Sequence, residues 1–185
     1  GARGRPRLRR RHHPRGGALY SATRGGGAFV ERELAPDGQE YWWETDEEPR
    51  FAPPERLSTS DPEREPDLTA VVSKSHMTRR LSAFLDATDL KGFYQKGSLG
   101  VKLMEVATGR ADFYINTERG KCNEWDVGAP GLILEEAGGR VTDLDGRPVR
   151  YNQENVALPA GLLASNGSCH DEVLAAIRRV PLLET

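Results

Sequence analysis

Three short polar stretches hold the residue types that could grip an anion. Ser73-Lys74-Ser75-His76 places two hydroxyls, an ammonium and an imidazole on one turn. That set suits an anionic, hydroxyl-rich ligand, although Ser and Thr in such a place also cap helices. Gly97-Ser98-Leu99-Gly100, with Lys102 close behind, is a small-residue entry into a helix. Such an entry leaves N–H groups free at the positive end of the helix dipole, the usual setting for an anion, and Lys102 adds charge one turn in. A glycine-eased helix start fits the same residues equally well. Trp125-Asp126 stands ahead of a helix entered at Ala129, where an Asp either caps the helix or offers a hard oxygen to Mg²⁺.

These stretches need elements to position them. Thr69-Ala70-Val71-Val72 reads as a short buried strand leading into Ser73, and Thr78 as the cap of a helix with Leu81, Phe84 and Leu85 at three-and-four spacing. Val101, Leu103, Met104 and Val106 mark a second helix closed by Gly109, followed by a strand over 111–116. A third helix carries Pro130 near its first turn and Leu132, Ile133 and Leu134 inside, and exits at Gly138-Gly139. Arg140 to Tyr151 alternates around an Asp145-Gly146 turn. Gly161 to Ala164 is a buried strand, and Asp171 to Val180 a terminal amphipathic helix capped by Ser168 or Asp171. Strands and helices alternate, which predicts the α/β class.

Upstream, Ala18 to Glu33 predicts a hairpin turning at Gly25-Gly26-Gly27. A phosphate-cradling loop needs a following helix with Lys and Ser or Thr, and none follows. Pro36 to Asp67, rich in Pro, Glu, Asp and Arg, reads as a linker with a short strand around Tyr41. The arginine-dense start, Arg3 to Arg15, has no apolar periodicity and predicts a disordered tail over 1–17, with no metal site at His12-His13. The expected organisation is therefore a tail at 1–17, a hairpin and linker at 18–67, and an α/β body at 68–185.

The formal net charge of -2 argues against a nucleic-acid binder. No apolar run approaches the ~20 residues of a membrane span. Cys122 and Cys169 read as two free thiols of a cytoplasmic protein, and the start at Gly1 shows no signal-peptide pattern.

Together the strings carry a resemblance. Cys122-Asn123-Glu124-Trp125-Asp126-Val127-Gly128-Ala129-Pro130, followed by Ile133, Glu136 and Ala137-Gly138-Gly139, resembles the C-terminal signature of the inositol monophosphatase superfamily. Ser73-Lys74-Ser75-His76, Gly97 to Lys102, and Leu163-Ala164-Ser165-Asn166-Gly167 look most like its CysQ-type 3'(2'),5'-bisphosphate nucleotidases. The resemblance implies a layered α/β sandwich that hydrolyses a small phosphate monoester, a nucleotide bisphosphate or an inositol phosphate, with water activated on Mg²⁺. It implies that Asp126 ligates metal and meets substrate, that Ser73 and His76 line the nucleotide side, and that Ser98 and Lys102 hold a second phosphate or the ribose. An oligomer is compatible with it.

The superfamily's Glu-rich helix and D-P-[LI]-D-G-T motif have no counterpart here. Glu47-Glu48 runs into Pro49, and Asp143-Leu144-Asp145-Gly146 is one residue short and lacks Pro and Thr. The expectation is a fragment, inactive by itself, with no catalytic base of its own. Two rival readings stand beside it: a metal-free nucleotide-binding remnant, and a haloacid-dehalogenase-type D-x-D-G-T nucleophile at Asp143. The latter wants a hydrophobic strand before it and a Thr after it, and has neither.

Overall fold

The computed structural model describes residues 8–12, 17–34 and 50–180. The predicted hairpin forms from β2 (Ala18–Thr23) and β3 (Gly27–Leu34), paired from Ala18↔Arg32 to Thr23↔Gly27. Its turn needs left-handed backbone at Gly25 (φ 68°) and Gly27 (φ 85°), which glycine adopts without steric cost. Alternation does the rest: Tyr20, Ala22, Ala28 and Val30 face inward and are buried.

Within the expected 1–17 tail, Leu8–His12 forms β1 and pairs with β2 from Leu8↔Ala22 to His12↔Ala18. Strand pairing uses backbone groups, and the free edge of β2 accepts it without an apolar pattern in the added strand. The Tyr41 strand lies outside the described residues. The rest of the expected linker is a strap. β4 (Arg50–Phe51) and β5 (Glu55–Arg56) both pair with β3, completing the first sheet. Beyond them Leu57 is buried and donates to Ala28 O, Thr59 N–H reaches Ala137 O, and Asn166 Nδ2 holds Pro62 O. Ser60 Oγ donates to the buried Asp112 carboxylate, whose other oxygen accepts from Thr69 N–H at 2.6 Å.

The second sheet runs β7-β6-β8-β10-β9. β6 (Thr69–Ser73), β7 (Gly92–Lys96) and β8 (Phe113–Asn116) are mutually parallel, while β10 (Leu162–Ser165) and β9 (Arg140–Thr142) add antiparallel. β7 is the strand missed by pattern: its burial alternates only between half-buried and exposed, with no fully buried position, because it is a short edge strand. Between the sheets lie α2 (Leu99–Ala107) and α3 (Glu124–Glu136). α1 (Arg79–Ala87) and α4 (His170–Arg179) cover the far face, giving a sheet–helix–sheet–helix stack. One cluster runs from Tyr20 and Val30 through Leu103 and Leu134 to Val71 and Leu162, so residues of both 18–67 and 68–180 contribute to it. Among the described residues no helix is long and apolar enough to cross a membrane.

Three helix details differ from expectation. α3 begins at Glu124, with Asn123 as N-cap, so Asp126 is its third residue and Pro130 sits well inside. Pro130 lacks the N–H that would bond the Asp126 carbonyl, a cost that the packing of α3 between two sheets absorbs. α4 is capped at Cys169, not Ser168 or Asp171, with Cys169 N–H donating to Asn166 Oδ1 at 3.0 Å. Gly138 (φ 102°) ends the third helix as foreseen, and at Gly139 a Cβ would come within 2.6 Å of Ser165 O, so the paired glycines are a packing requirement.

His170 is fully buried, with Ser165 Oγ 2.7 Å from Nδ1 and Thr142 Oγ1 2.9 Å from Nε2. Burial first, then the charge of Arg140, lowers its pKa to about 4, against the opposing pull of Asp171. The unfolded chain therefore binds this proton at a higher pH, near the ordinary ~6.5, than the folded one does. The neutral ring's contribution is complete above that value and declines as pH falls toward about 4. Denaturant midpoints should drop across this window and flatten below it; His170→Phe should lose this component of the slope.

Candidate active site

The carboxyl ends of three parallel strands meet three helix starts. Ser73 ends β6, Ser98 follows β7 and precedes α2, and Asn116 ends β8 ahead of α3. In open α/β sheets that edge is where ligands lie. Here it encloses a cavity of about 190 Å³ lined by Ser73, His76, Ser98, Lys102 and Asp126, so all five sequence-predicted residues come together. His76 Nδ1 stands 2.9 Å from Ser75 Oγ and 3.4 Å from Ser73 Oγ, so the exposed imidazole is braced by the loop that carries it.

Ser98 is the N-cap of α2, yet its side chain makes no cap hydrogen bond, and its φ of 55° is unusual for a residue with a Cβ. Backbone strain of this kind concentrates at functional sites. Among the described residues the α2 entry therefore presents N–H groups without a side-chain cap, and the Ser98 hydroxyl, to the cavity.

Lys102 is only 4% exposed, and its Nζ lies 4.7 Å over the Tyr114 ring. Among the described residues no carboxylate lies within 4.0 Å of it. Glu105, three residues on along α2, has the spacing of a helical ion pair. Its buried carboxylate is instead committed to Tyr94 Oη (2.9 Å), Arg110 Nε (3.1 Å) and Arg110 Nη2 (3.2 Å). Lys102 is left with ring π density and an opening. Burial depresses its pKa, with Cys122 acting the other way. Cys122, in the same wall, is pushed up to about 12 by burial and then by the Asp126 charge, despite Lys102, so it remains a thiol and no nucleophile.

Asp126 Oδ2 accepts from Asn123 N–H at 3.2 Å, holding the half-buried carboxylate at the head of α3. Both readings of Asp126 thus have a structural basis: it braces the helix start and faces the cavity. Among the described lining residues Glu118 is the other carboxylate. Among the described residues no group of three His, Cys, Asp or Glu side chains converges as a metal cage. Two carboxylates without further fixed oxygens do not satisfy the octahedral demand of Mg²⁺, so these residues do not by themselves fit a Mg²⁺ site. Asp143 is excluded as a nucleophile by its hydrogen bonds: Oδ1 accepts from Asp145 and Arg147 N–H, a turn brace outside the cavity.

Tyr114, Thr117, Glu118 and Lys121 also line the cavity and were not singled out in sequence. The signal available was the end of a strand parallel to β6, which emerges only once the sheet order is known. A second hollow, about 230 Å³ on the outer face of the first sheet, has Glu31 but no cation among its described lining.

A family profile for the inositol monophosphatases matches residues 3–182. The chain belongs to the inositol monophosphatase family. Among its relatives, 3'(2'),5'-bisphosphate nucleotidase 1 of Rattus norvegicus is 31% identical over 94 residues, covering 50% of this chain and 30% of the relative. The 3'(2'),5'-bisphosphate nucleotidase CysQ of Aggregatibacter actinomycetemcomitans is 29% identical over 142 residues, covering 77% and 45%. The structure of inositol monophosphatase from Anabaena aligns with a TM-score of 0.63 and 27% identity over 90% of this chain and 57% of that one. The inositol monophosphatase fold is thus present, and the chain spans less than half the length of these two curated relatives.

Replacing Ser98 by Gly tests the strain at the α2 entry. Gly relieves the positive φ at the cost of greater freedom in the unfolded chain. The expected result is a thermal midpoint equal to or above that of the parent; a fall of several degrees would show that the serine conformation is unstrained.

Proposed function

We propose that this chain forms the substrate-holding part of a phosphomonoesterase acting on a nucleoside 3'(2'),5'-bisphosphate. The observation that carries the reading is Lys102, a buried ammonium with no carboxylate partner among the described residues, at a cavity that also receives the uncapped entry of α2. A cation in that state is costly until an anion reaches it. A phosphate group meets the ammonium, the α2 N–H groups and the Ser98 hydroxyl together. Ser73 and His76 on the opposite loop provide hydrogen bonds for ribose or base edges. The names of the nucleotidase relatives support the same substrate class.

In this reading Asp126 orients the reacting phosphate and contributes one oxygen toward Mg²⁺, whose other ligands are not among the described residues. With the metal site incomplete among the described residues, the chain by itself is expected to bind without turnover.

An inositol or sugar phosphate is the second reading. It is favoured by relatives named fructose-1,6-bisphosphatase/inositol-1-monophosphatase in Thermotoga maritima and inositol-1-monophosphatase in Synechocystis, each 36% identical over roughly half of the chain.

Titration calorimetry with adenosine 3',5'-bisphosphate, with and without Mg²⁺, and with inositol 1-phosphate, separates these cases. Adenosine bisphosphate should bind more tightly than inositol phosphate, and Lys102→Met should weaken it by about tenfold or more, the value of one charged hydrogen bond. Equal affinity in Lys102→Met would refute the assignment of the anion site, and metal-independent binding would favour a binding remnant. Because Met removes a desolvated charge of similar shape, the variant should fold at least as stably as the parent.

A further inference from the structure

β8 sends its side chains alternately to the two faces of the second sheet. Phe113 and Ile115 pack toward α1 and α4, where Phe113 meets Phe84 edge-on at 6.1 Å, and Tyr114 faces α2 and α3. The Tyr114 ring is the floor beneath the Lys102 ammonium, 4.7 Å from Nζ, and the side chain lines the cavity. Only 3% of Tyr114 is exposed, so the phenol is withdrawn from bulk water.

A buried phenol ordinarily finds a hydrogen-bond partner. Two other tyrosines show the usual outcomes: Tyr94 Oη donates to Glu105 at 2.9 Å, and Tyr151 is exposed. Tyr114 Oη has no hydrogen-bond partner within 3.5 Å among the described residues. The polar neighbours in the same wall are directed elsewhere. Cys122 Sγ turns to Asn123 O at 3.8 Å, Thr117 Oγ1 lies 2.7 Å from Thr78 Oγ1, and Asn116 Oδ1 accepts from Glu118 N–H at 3.0 Å. Burial first, then Cys122 and Glu118, raises the Tyr114 pKa, so the phenol keeps its proton and remains a donor.

Two groups more than nine-tenths buried thus border one cavity with nothing to receive their protons: an ammonium over the face of a ring and a hydroxyl on its rim. Each costs stability in the free chain. An oxyanion with several acceptor oxygens takes a hydrogen bond from both, and a charged acceptor strengthens each of them.

We propose that Tyr114 is a ligand-binding residue whose hydroxyl donates to the same oxyanion that Lys102 holds. The inference rests on the reading of the cavity as a phosphate-ester site and deepens it. One tyrosine carries the cation on its face and supplies the second donor from its rim.

The test uses the full chain with Tyr114→Phe, which keeps the ring beneath Nζ and removes only the hydroxyl, together with Lys102→Met and the double variant. Inorganic phosphate and adenosine 3',5'-bisphosphate are the titrants. Tyr114→Phe should weaken whichever of them the parent binds by about tenfold, the value of a hydrogen bond to a charged acceptor. Its thermal midpoint should equal or exceed that of the parent, because a buried hydroxyl without a partner is removed. In the Lys102→Met background the same change should cost much less, since both donors act on one group. Ligand should also shift the tyrosine ultraviolet spectrum of the parent and leave that of Tyr114→Phe unmoved. A lowered midpoint with unchanged affinity would make the hydroxyl structural and overturn the proposal, as would a loss fully additive with Lys102→Met. The failures are separable. Bisphosphate binding that needs Lys102 but not the hydroxyl sinks this proposal alone. Hydroxyl-dependent binding of phosphate without binding of the bisphosphate sinks the nucleotidase reading alone. A parent chain that binds neither titrant sinks both.

Discussion

The site depends on an ammonium taken out of water with no carboxylate among the described residues to meet it. Lys102 rests on the Tyr114 ring, and the carboxylate best spaced to neutralise it, Glu105, is saturated by Tyr94 and Arg110. A buried charge left in that state weakens the free fold and strengthens binding of whatever anion completes it. Stability and affinity are therefore set against each other at one side chain. The Glu105 network decides the outcome by ordering α2 against the end of β7 while withholding its own charge.

The layered stack makes such an arrangement tolerable. α2 and α3 are covered on both faces by sheets, so the irregular features at their N-termini are held by packing rather than by local preference: Ser98 at positive φ, the uncapped α2 entry, and Pro130 inside α3. The hairpin contributes from a distance. Its Gly25 and Gly27 N–H groups grip the Glu136 carboxylate at 2.7 and 2.9 Å, pinning the exit of α3 to the first sheet. That contact also lowers the Glu136 pKa through the same two backbone bonds. The glycines thus do bind an oxyanion, and it is one the chain supplies itself. The 52–62 strap plays a similar part through Asp112 and Asn166, stitching the first sheet to the ends of β6 and β10.

Chemistry at the cavity divides into what these residues hold and what they lack. Hydroxyls, an imidazole, an ammonium and helix N-termini are suited to orient a phosphate ester. Asp126 is positioned by Asn123 N–H at the head of α3, where a carboxylate also favours the helix dipole. In a chain matching less than half of these nucleotidase relatives, the described lining of the cavity carries two carboxylates, Asp126 and Glu118.

Much of this was legible in the residues. Strand β6, the hairpin, the cap of α1 by Thr78 and the glycine exit of α3 follow from local rules, because periodicity, capping and left-handed backbone are properties of a few consecutive residues. The five candidate residues were found from motif chemistry. What the sequence could not decide was anything set by neighbours far along the chain. The pairing of β1, the edge strand β7 and the shared core of both sheets depend on partners many residues away. Whether Lys102 would be paired or left to a ligand depended on where Arg110 and Tyr94 direct their donors, and the joining of the α1 start to the end of β8 on a hydrogen bond between Thr78 and Thr117. Local chemistry fixed which groups were on offer; only the packing of distant segments determined which of them would meet, and which charge would be left without a partner.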